Sequence, residues 1–310
     1  MPDQLPPARR TPGGPSLPAR LPHPAPGAAP ERPDRPERTD GPERTDRANG
    51  PDGPDRPEHP GHPAVTAAAA ADLAVLDAAV TGCRACPRLV AWREEAARTK
   101  RKSYLDWDYW ARPIPGFGPP DAPLVLVGLA PAAHGANRTG RIFTGDPSGD
   151  LLYAELHRLG LASRPESVRR GDGLELHGVR ITDPVRCAPP DNRPTPAERD
   201  TCRPWIAREL ALLRPDVRAV VALGGFAWQA LLPALAEAGW QLPRPRPVFG
   251  HGARVTLPAA DGGPPLELHG CYHVSPRNTF TGRLTPAMLR DVLRRAARGA
   301  GLDPHPEPQP

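Results

Sequence analysis

Short apolar runs alternate with longer amphipathic segments over most of the chain beyond residue 65. The apolar runs predict strands at Pro123–Leu129, Gly178–Thr182, Val217–Leu223 and Leu266–His273. Strands that are apolar along their whole length are typical of a parallel sheet that is covered on both faces. The alternation therefore predicts an α/β fold with a mostly parallel sheet.

Apolar residues recur at helical spacing ahead of these strands and between them. The predicted helices are Val65–Val80, Pro87–Arg98, Ser148–Leu161, Pro196–Leu213, Phe226–Ala238 and Pro286–Ala300. Folds of this class host many activities, so the function has to be sought in the loops that follow the strands.

The first 65 residues lack this pattern. They contain no Phe, Trp or Tyr, hold 18 of the 47 prolines, and carry 9 arginines against 10 acidic residues. A near-repeat, PERTDG followed by PERTDR, spans Pro36–Arg47. A segment with so few apolar side chains cannot bury a core. We therefore expect a disordered tail over residues 1–65, a folded domain over residues 66–303 and a short disordered tail over residues 304–310.

The net charge of +5 arises in the domain, where 31 basic residues stand against 25 acidic ones. A basic surface suits a polyanionic partner, and an arginine-rich composition is equally typical of a GC-rich genome. The sequence has no apolar run of about 20 residues and no secretory pattern at its N-terminus. We expect a cytoplasmic protein that makes no contact with a membrane.

A loop rich in glycine and polar residues follows the first predicted strand. It has the sequence GLAPAAHGANRTGRIFTGDPSGD from Gly128 to Asp150. Its larger side chains are those of His134, Asn137, Arg138, Arg141, Phe143 and Asp146. Ligands of open α/β sheets bind at the carboxyl ends of the strands, so this loop predicts a pocket. Two further loops are expected at the same edge, RCAPPDNRPTP (Arg186–Pro196) and HVSPRNTFTGR (His273–Arg283).

Four of the five cysteines have the spacing of metal ligands. Cys83 and Cys86 form a CxxC pair, and Cys187 and Cys202 follow about a hundred residues later. Four thiolates bind either zinc or a [4Fe–4S] cluster, and the spacing alone does not choose between them. Unrelated buried thiols are the remaining interpretation. Cys271 falls inside a predicted strand, where we expect a core residue.

These segments together resemble the iron–sulfur uracil-DNA glycosylases of family 5, the type B enzymes. The motifs are CRACPRLVAWREE, GLAPAAHGANRTGRIFTGD, VRCAPPDNRPTP and YHVSPRNTFTGRLT. The resemblance extends from Leu73 to Leu302. It implies a three-layer α/β/α sandwich with a central four-stranded parallel sheet. It also implies that a [4Fe–4S] cluster is held by Cys83, Cys86, Cys187 and Cys202.

The activity implied by this resemblance is base excision from DNA. Such an enzyme flips a damaged nucleotide out of the stack and hydrolyses its N-glycosidic bond, which initiates base excision repair. The implied substrates are uracil and other deaminated bases such as hypoxanthine, and we expect a monomer. Two alternatives stay open: a strictly uracil-specific enzyme like those of family 4, and a non-catalytic DNA-binding module with a metal cluster.

Three residues match the catalytic positions of the family. Asp146 is expected to orient the attacking water or to oppose positive charge on the sugar, unless it only caps the helix that starts near Ser148. His273 is expected to donate a hydrogen bond to the departing base, although a lone histidine is more often structural. Asn192 is expected to assist them or simply to occupy a turn.

Substrate contacts are expected from Gly128, Ala130, Ala132, Phe143 and Asp183. Phe143 is the expected stacking platform, and the backbone amides near Ala130–Ala133 are expected to bind a base carbonyl. Asp183 stands where family 4 enzymes have an asparagine. An ionised aspartate only accepts hydrogen bonds, so the sequence predicts a relaxed choice of base.

Contacts with DNA are expected from Arg277, Asn278 and Arg283. Their loop is expected to act as a wedge that holds the gap left by the flipped nucleotide. Solvated surface charges are the alternative interpretation of these arginines.

Overall fold

A single twisted sheet organises residues 61–305, the part of the chain that the computed structural model describes. Its strands are β1 (Leu124–Val127), β2 (Val179–Thr182), β3 (Ala219–Leu223), β4 (Arg254–Leu257) and β5 (Leu266–Cys271). The strand order is β2-β1-β3-β5-β4. The pairs β1–β2, β1–β3 and β3–β5 are parallel, whereas β4 runs antiparallel to β5.

Helices cover both faces of the sheet, which confirms the predicted α/β class. They are α1 (Pro63–Ala68), α2 (Leu73–Thr81), α3 (Pro87–Thr99), α4 (Ala136–Thr139), α5 (Pro147–Arg158), α6 (Pro196–Leu213), α7 (Gly225–Glu237), α8 (Pro276–Thr279) and α9 (Pro286–Gly299). Two large hydrophobic cores and a small third one result among the described residues. One large core packs α1, α2, α6 and α7 against side chains such as Val127, and the other large core packs α5 and α9 against side chains such as Leu126.

The antiparallel edge strand β4 corrects the prediction of a four-stranded sheet. The four expected strands are all present and parallel, and β4 adds a fifth. Arg254 and Thr256 of this strand are exposed, whereas Leu257 is buried. A strand with one solvated face alternates polar and apolar residues, so it lacks the continuous apolar run that marks the buried strands.

The segment predicted as one helix over Val65–Val80 forms two, α1 and α2. The break occurs because Asp72 adopts an extended backbone conformation, and its carboxylate accepts a hydrogen bond from the Val75 amide (2.8 Å). An aspartate stabilises a helix more as an N-cap than in the interior.

The ends of the described range adjoin the expected tails. Helix α1 begins at Pro63, within the stretch assigned to the first tail. At the other end, the His305 amide donates to the Leu159 carbonyl (3.0 Å), so residue 305 belongs to the folded domain. The rest of the expected tails, residues 1–60 and 306–310, lies outside the described residues. Within residues 61–305 no helix is long and apolar enough to cross a bilayer.

The strand connections define where a ligand site is expected. The chain leaves β1 for β2 on one side, then returns to place β3 on the other side of β1. Such a reversal opens a crevice at the carboxyl ends of the strands. Gly128, Asp183, Gly224 and Tyr272 come directly after β1, β2, β3 and β5, so these four positions surround that crevice.

A buried charge cluster fixes the loop that follows β2. Arg180 donates to Glu209 Oε1 (2.6 Å), and Arg186 also pairs with the same carboxylate. Burial alone raises the pKa of Glu209, but Arg186 and Arg180 outweigh it and lower that pKa to about 2. The charged pairs therefore hold the start of this loop against α6, and with it Asp183 and Cys187.

Candidate active site

One cavity of about 520 Å³ joins the three predicted loops at the strand ends. Phe143 and Asp146 line it from the first loop, Asn192 from the second and His273 from the third, and Asp183 also contributes. Loops at adjacent strand ends of a parallel sheet meet in this way. The predicted pocket is present. Its lining includes the ionisable and aromatic residues that were expected to act on the substrate.

Phe143 forms an aromatic wall of the cavity with a constrained backbone. Its φ angle is +48°, a region that non-glycine residues rarely adopt. The preceding carbonyl, that of Ile142, accepts hydrogen bonds from Tyr153 Oη and Thr144 Oγ1, both at 3.0 Å. A Cβ at Gly128 would collide with the Phe143 ring, so glycine is needed there.

Asp146 caps a helix, one of the two roles that the sequence offered, and its carboxylate also borders the cavity. Its Oδ1 accepts hydrogen bonds from the amides of Ser148 (2.9 Å) and Gly149 (3.3 Å), and it thereby caps α5. Its Oδ2 lies against Gly135, where a Cβ would collide with it. The carboxylate borders the main cavity and also a second one of about 350 Å³. The cap therefore fixes one oxygen while the group remains beside solvent-accessible space.

His273 is held in a single tautomer. Its Nδ1 accepts a hydrogen bond from the Ser275 amide (3.1 Å), so the proton of the neutral ring is on Nε2. Burial lowers the pKa of His273, and the nearby charge of Asp146 opposes that shift only in part. Its ring centroid lies 6.1 Å from that of Phe143. The site therefore contains a neutral imidazole whose free N–H is available as a donor.

Asp183 is almost fully buried, with 2% of its surface exposed. Burial raises its pKa to about 8, and the charges of Asp146 and Glu209 add to this effect while Arg186 opposes it. The carboxyl group is therefore mostly protonated at neutral pH. This corrects the expectation of an ionised, acceptor-only aspartate, because burial of a side chain in a loop cannot be deduced from the sequence pattern.

The remaining predicted substrate residues lie at different depths. Ala130 and Ala132 line the cavity, whereas Gly128 acts by leaving space for Phe143 and Asp183. Asn192 is exposed at the mouth, with φ at +54°, and borders both cavities beside Asp146. Asparagine tolerates this backbone region well.

The third loop divides its polar residues between surface and interior. Arg277 is exposed and borders the cavity, and the Arg283 guanidinium lies 4.5 Å from the centre of the Tyr272 ring. Asn278 instead donates to the His273 carbonyl (2.8 Å), so it braces the loop. Phe280, which the sequence motifs did not single out, is 83% exposed in this loop. Its only signal in the sequence is an apolar ring within a polar motif.

Several polar side chains of the first loop form its internal frame. The Arg138 guanidinium lies between the rings of Tyr104 (3.8 Å) and Trp107 (4.1 Å) and donates to the carbonyls of His134 and Gly145. Asn137 donates to two backbone carbonyls, and Arg141 pairs with Asp172. His134 bonds to the Tyr109 hydroxyl (3.0 Å) and borders the second cavity.

All four predicted metal-ligating cysteines line one small cavity beside the second loop; they are Cys83, Cys86, Cys187 and Cys202. Arg93 Nη1 donates to the sulfur of Cys187 (2.9 Å), and the Arg186 amide donates to the sulfur of Cys202 (3.4 Å). Among residues 61–305, no three His, Cys, Asp or Glu side chains converge as ligands of a single ion do. Cys271 is fully buried in β5, as expected for a core residue.

Comparison with known proteins places this fold and site in an established class. Residues 115–297 match the family model of the Uracil DNA glycosylase superfamily. The chain is 55% identical over 228 residues to a Type-5 uracil-DNA glycosylase of Mycobacterium bovis, covering 74% of this chain and 82% of that protein. It is 54% identical over 223 residues to the Type-5 enzyme of Thermus thermophilus, covering 72% of this chain and 96% of that protein.

A more distant match separates the two candidate types. The chain is 32% identical over 172 residues to a Type-4 uracil-DNA glycosylase of Pyrobaculum aerophilum, which covers 55% of this chain and 70% of that protein. The higher identity and the longer coverage both lie with the type-5 proteins. The chain therefore belongs to the type-5 uracil-DNA glycosylases, which confirms the resemblance found in its motifs.

Proposed function

We propose that this protein is a hydrolase that excises uracil from DNA by cleaving the N-glycosyl bond, the first step of base excision repair. The observation that carries the proposal is the meeting of Asp146, His273 and Phe143 around one cavity in a member of this family. A base inside a duplex cannot reach such a cavity, so the nucleotide has to leave the stack.

The cavity supplies the contacts that an extruded base requires. The ring of Phe143 offers a stacking face, and stacking on aromatic rings contributes about 1–3 kcal/mol per base. The backbone beside Ala130 and Ala132 borders the same space. Asp183 lines the same cavity as Phe143, so we place the edge of a base stacked on Phe143 beside Asp183.

Asp146 acts on the sugar side of the bond in this proposal. Its carboxylate either takes a proton from the attacking water or opposes the positive charge that grows on the deoxyribose, and the two roles are compatible. Asn192 borders both cavities beside this carboxylate. We assign it to hydrogen bonding with that water.

His273 acts on the base side of the bond. As the bond breaks, negative charge develops on the departing base, and the Nε2–H of a neutral imidazole stabilises that charge by hydrogen bonding. The Ser275 amide prevents the ring from rotating to its other tautomer. The Asn278 side chain donates a hydrogen bond to the backbone carbonyl of His273 and so positions this histidine.

The DNA itself is proposed to bind along the third loop. Arg277 and Arg283 are exposed cations of this loop, of which Arg277 borders the cavity, and both are suited to phosphate contacts. Phe280 projects from the same loop, and apolar side chains of this kind insert between base steps in bent or opened DNA.

We expect the enzyme to release hypoxanthine as well as uracil. Deamination leaves a carbonyl in both bases where the parent base has an amine. A cavity of about 520 Å³ falls within the ordinary size range of small-molecule sites, so its size does not restrict it to a one-ring base. The measurement is single-turnover base release from duplexes carrying uracil, hypoxanthine, cytosine or adenine at one position.

Release of both deaminated bases, with cytosine and adenine left intact, is the expected result. Efficient removal of uracil with hypoxanthine left untouched would contradict the broad specificity and favour a strictly uracil-specific enzyme. DNA binding without release of any base would instead support a non-catalytic module.

We further propose that Cys83, Cys86, Cys187 and Cys202 hold a [4Fe–4S] cluster. All four cysteines line one small cavity, and four thiolates are the ligand set that a [4Fe–4S] cluster requires. The N–H groups of Arg93 and Arg186 that point at two sulfurs suit the negative charge of cluster ligands. When bound, the cluster ties the loop of Cys187 to the segment that precedes α3.

Replacing one of these cysteines should abolish the cluster. We expect Cys202→Ala to lose iron and visible absorbance and to melt at a lower temperature, because a metal centre that joins distant segments stabilises the folded state. The matched control is Cys271→Ala, which removes a buried thiol outside the proposed site. Equal iron content in both variants would contradict the ligand assignment.

A further inference from the structure

Asp183 carries an unexplained feature, a buried carboxyl group without a partner. It follows β2 directly and lines the main cavity. Its Oδ1 is sealed from solvent and has no hydrogen-bond partner within residues 61–305. That oxygen lies against the Cα of Gly128 on the side occupied by the Phe143 ring. A desolvated oxygen in this position bears a negative charge only at a high cost in free energy.

The surrounding charges do not compensate for this burial. Arg186, the cation that interacts with Asp183, is paired with Glu209. Asp146 and Glu209 are both negative and raise the pKa of Asp183 further. His273, across the cavity, is held neutral by burial and by its hydrogen bond from Ser275. The group is therefore protonated at neutral pH, with its pKa at about 8.

The hydrogen-bond pattern also indicates which oxygen carries the proton. Buried donors without an acceptor are rarer in folded proteins than buried carbonyl oxygens without a donor. The sealed Oδ1 is therefore the carbonyl oxygen, and Oδ2 carries the hydrogen. This leaves an O–H donor for a base that lies against Phe143.

We propose that Asp183 is a specificity residue whose carboxylic O–H donates a hydrogen bond to the carbonyl that deamination creates on the base. This inference rests on the proposed function and names its substrate class. Uracil presents that carbonyl as O4 and hypoxanthine as O6, whereas cytosine and adenine present an amine at the same position. The O–H and an amine are both hydrogen-bond donors and cannot pair with each other. The O–H therefore favours the deaminated bases.

The test is the pH dependence of single-turnover release, with uracil and with hypoxanthine. Wild type is expected to lose rate about tenfold per pH unit above the pKa of Asp183, because the ionised group has no donor left. Asp183→Asn keeps a donor at every pH, so its rate should remain flat through this range. Asp183→Ala is expected to be slow at every pH. Asp216→Asn, an exposed carboxyl on another loop, is the control and should follow wild type.

Loss of release in Asp183→Asn as complete as in Asp183→Ala would overturn the proposal, because the charged group would then be the one required. A wild-type rate that does not fall above pH 8 would overturn it as well.

A second measurement separates this inference from the activity itself. A carboxyl whose pKa is higher in the folded than in the unfolded chain loses stabilisation as pH rises between the two values. The melting temperature of Asp183→Asn should therefore rise relative to wild type as pH increases from 5 to 8. A difference that stays constant over this range would contradict a protonated Asp183, whether or not the protein releases uracil.

Discussion

Asp146→Asn should lower the single-turnover rate of uracil release by about 10²–10⁴-fold, the range typical of a lost general base. The substitution removes the negative charge but keeps a side-chain oxygen. Asparagine is as good an N-cap as aspartate, so the hydrogen bonds from Ser148 and Gly149 remain available. We therefore expect the melting temperature and the affinity for DNA to stay close to those of wild type.

Two further variants separate catalysis by Asp146 from helix capping. Asp146→Ala loses the cap as well as the charge, and should unfold more readily by about 1 kcal/mol. Asp72→Asn makes the same chemical change at the cap of α2, which lies outside the cavity. Full activity in Asp146→Asn, or an equal loss in Asp72→Asn, would show that the carboxylate charge of Asp146 takes no part in the reaction.

His273→Ala should lower the rate by about 10²–10³-fold, the cost of removing one donor to a developing negative charge. The loss should fall on the chemical step, because Phe143 still provides the stacking face for the base. His273→Gln retains an N–H donor and is expected to recover part of the rate. Rapid-quench kinetics at saturating enzyme measures this step directly.

The pH dependence of the reaction tests the tautomer of this histidine. Because burial lowers the pKa of His273, the ring stays neutral at and above neutral pH. Protonation at low pH would place a hydrogen on Nδ1 and oppose the amide of Ser275. His157→Ala removes an exposed histidine of α5 and is the control, so its pH dependence should match that of wild type. A reaction that speeds up as His273 becomes protonated would contradict the neutral donor.

Much of the fold and the outline of the site could be predicted from the sequence. Continuous apolar runs are typical of buried parallel strands. The carboxyl ends of these strands then indicate which loops form the ligand site. The apolar pattern does not predict β4, whose polar and apolar residues alternate, and it predicts α1 and α2 as one helix across the cap formed by Asp72. The alternation in β4 reflects its position at the edge of the sheet, whereas the break between α1 and α2 depends on one local cap hydrogen bond at Asp72.

The roles of individual polar residues were harder to predict. A polar residue in a glycine-rich loop either faces a ligand or forms hydrogen bonds with the backbone. The same residue types serve both purposes, so the residue type does not distinguish them. Arg138 and Asn137 donate to backbone carbonyls, whereas Asp146 accepts from backbone amides and also borders the cavity. The protonation of Asp183 and the tautomer of His273 depend on burial and on single hydrogen bonds. This burial and these hydrogen bonds can be determined only from the three-dimensional structure.

The most direct test of the central claim is single-turnover release of uracil from a duplex oligonucleotide by the full chain in EDTA. Free uracil and the abasic strand are both quantified. The proposed function predicts equimolar release of the two products, because one N-glycosyl bond is hydrolysed per uracil and no added metal ion is needed. A folded, DNA-bound protein that leaves the uracil in place would contradict the claim.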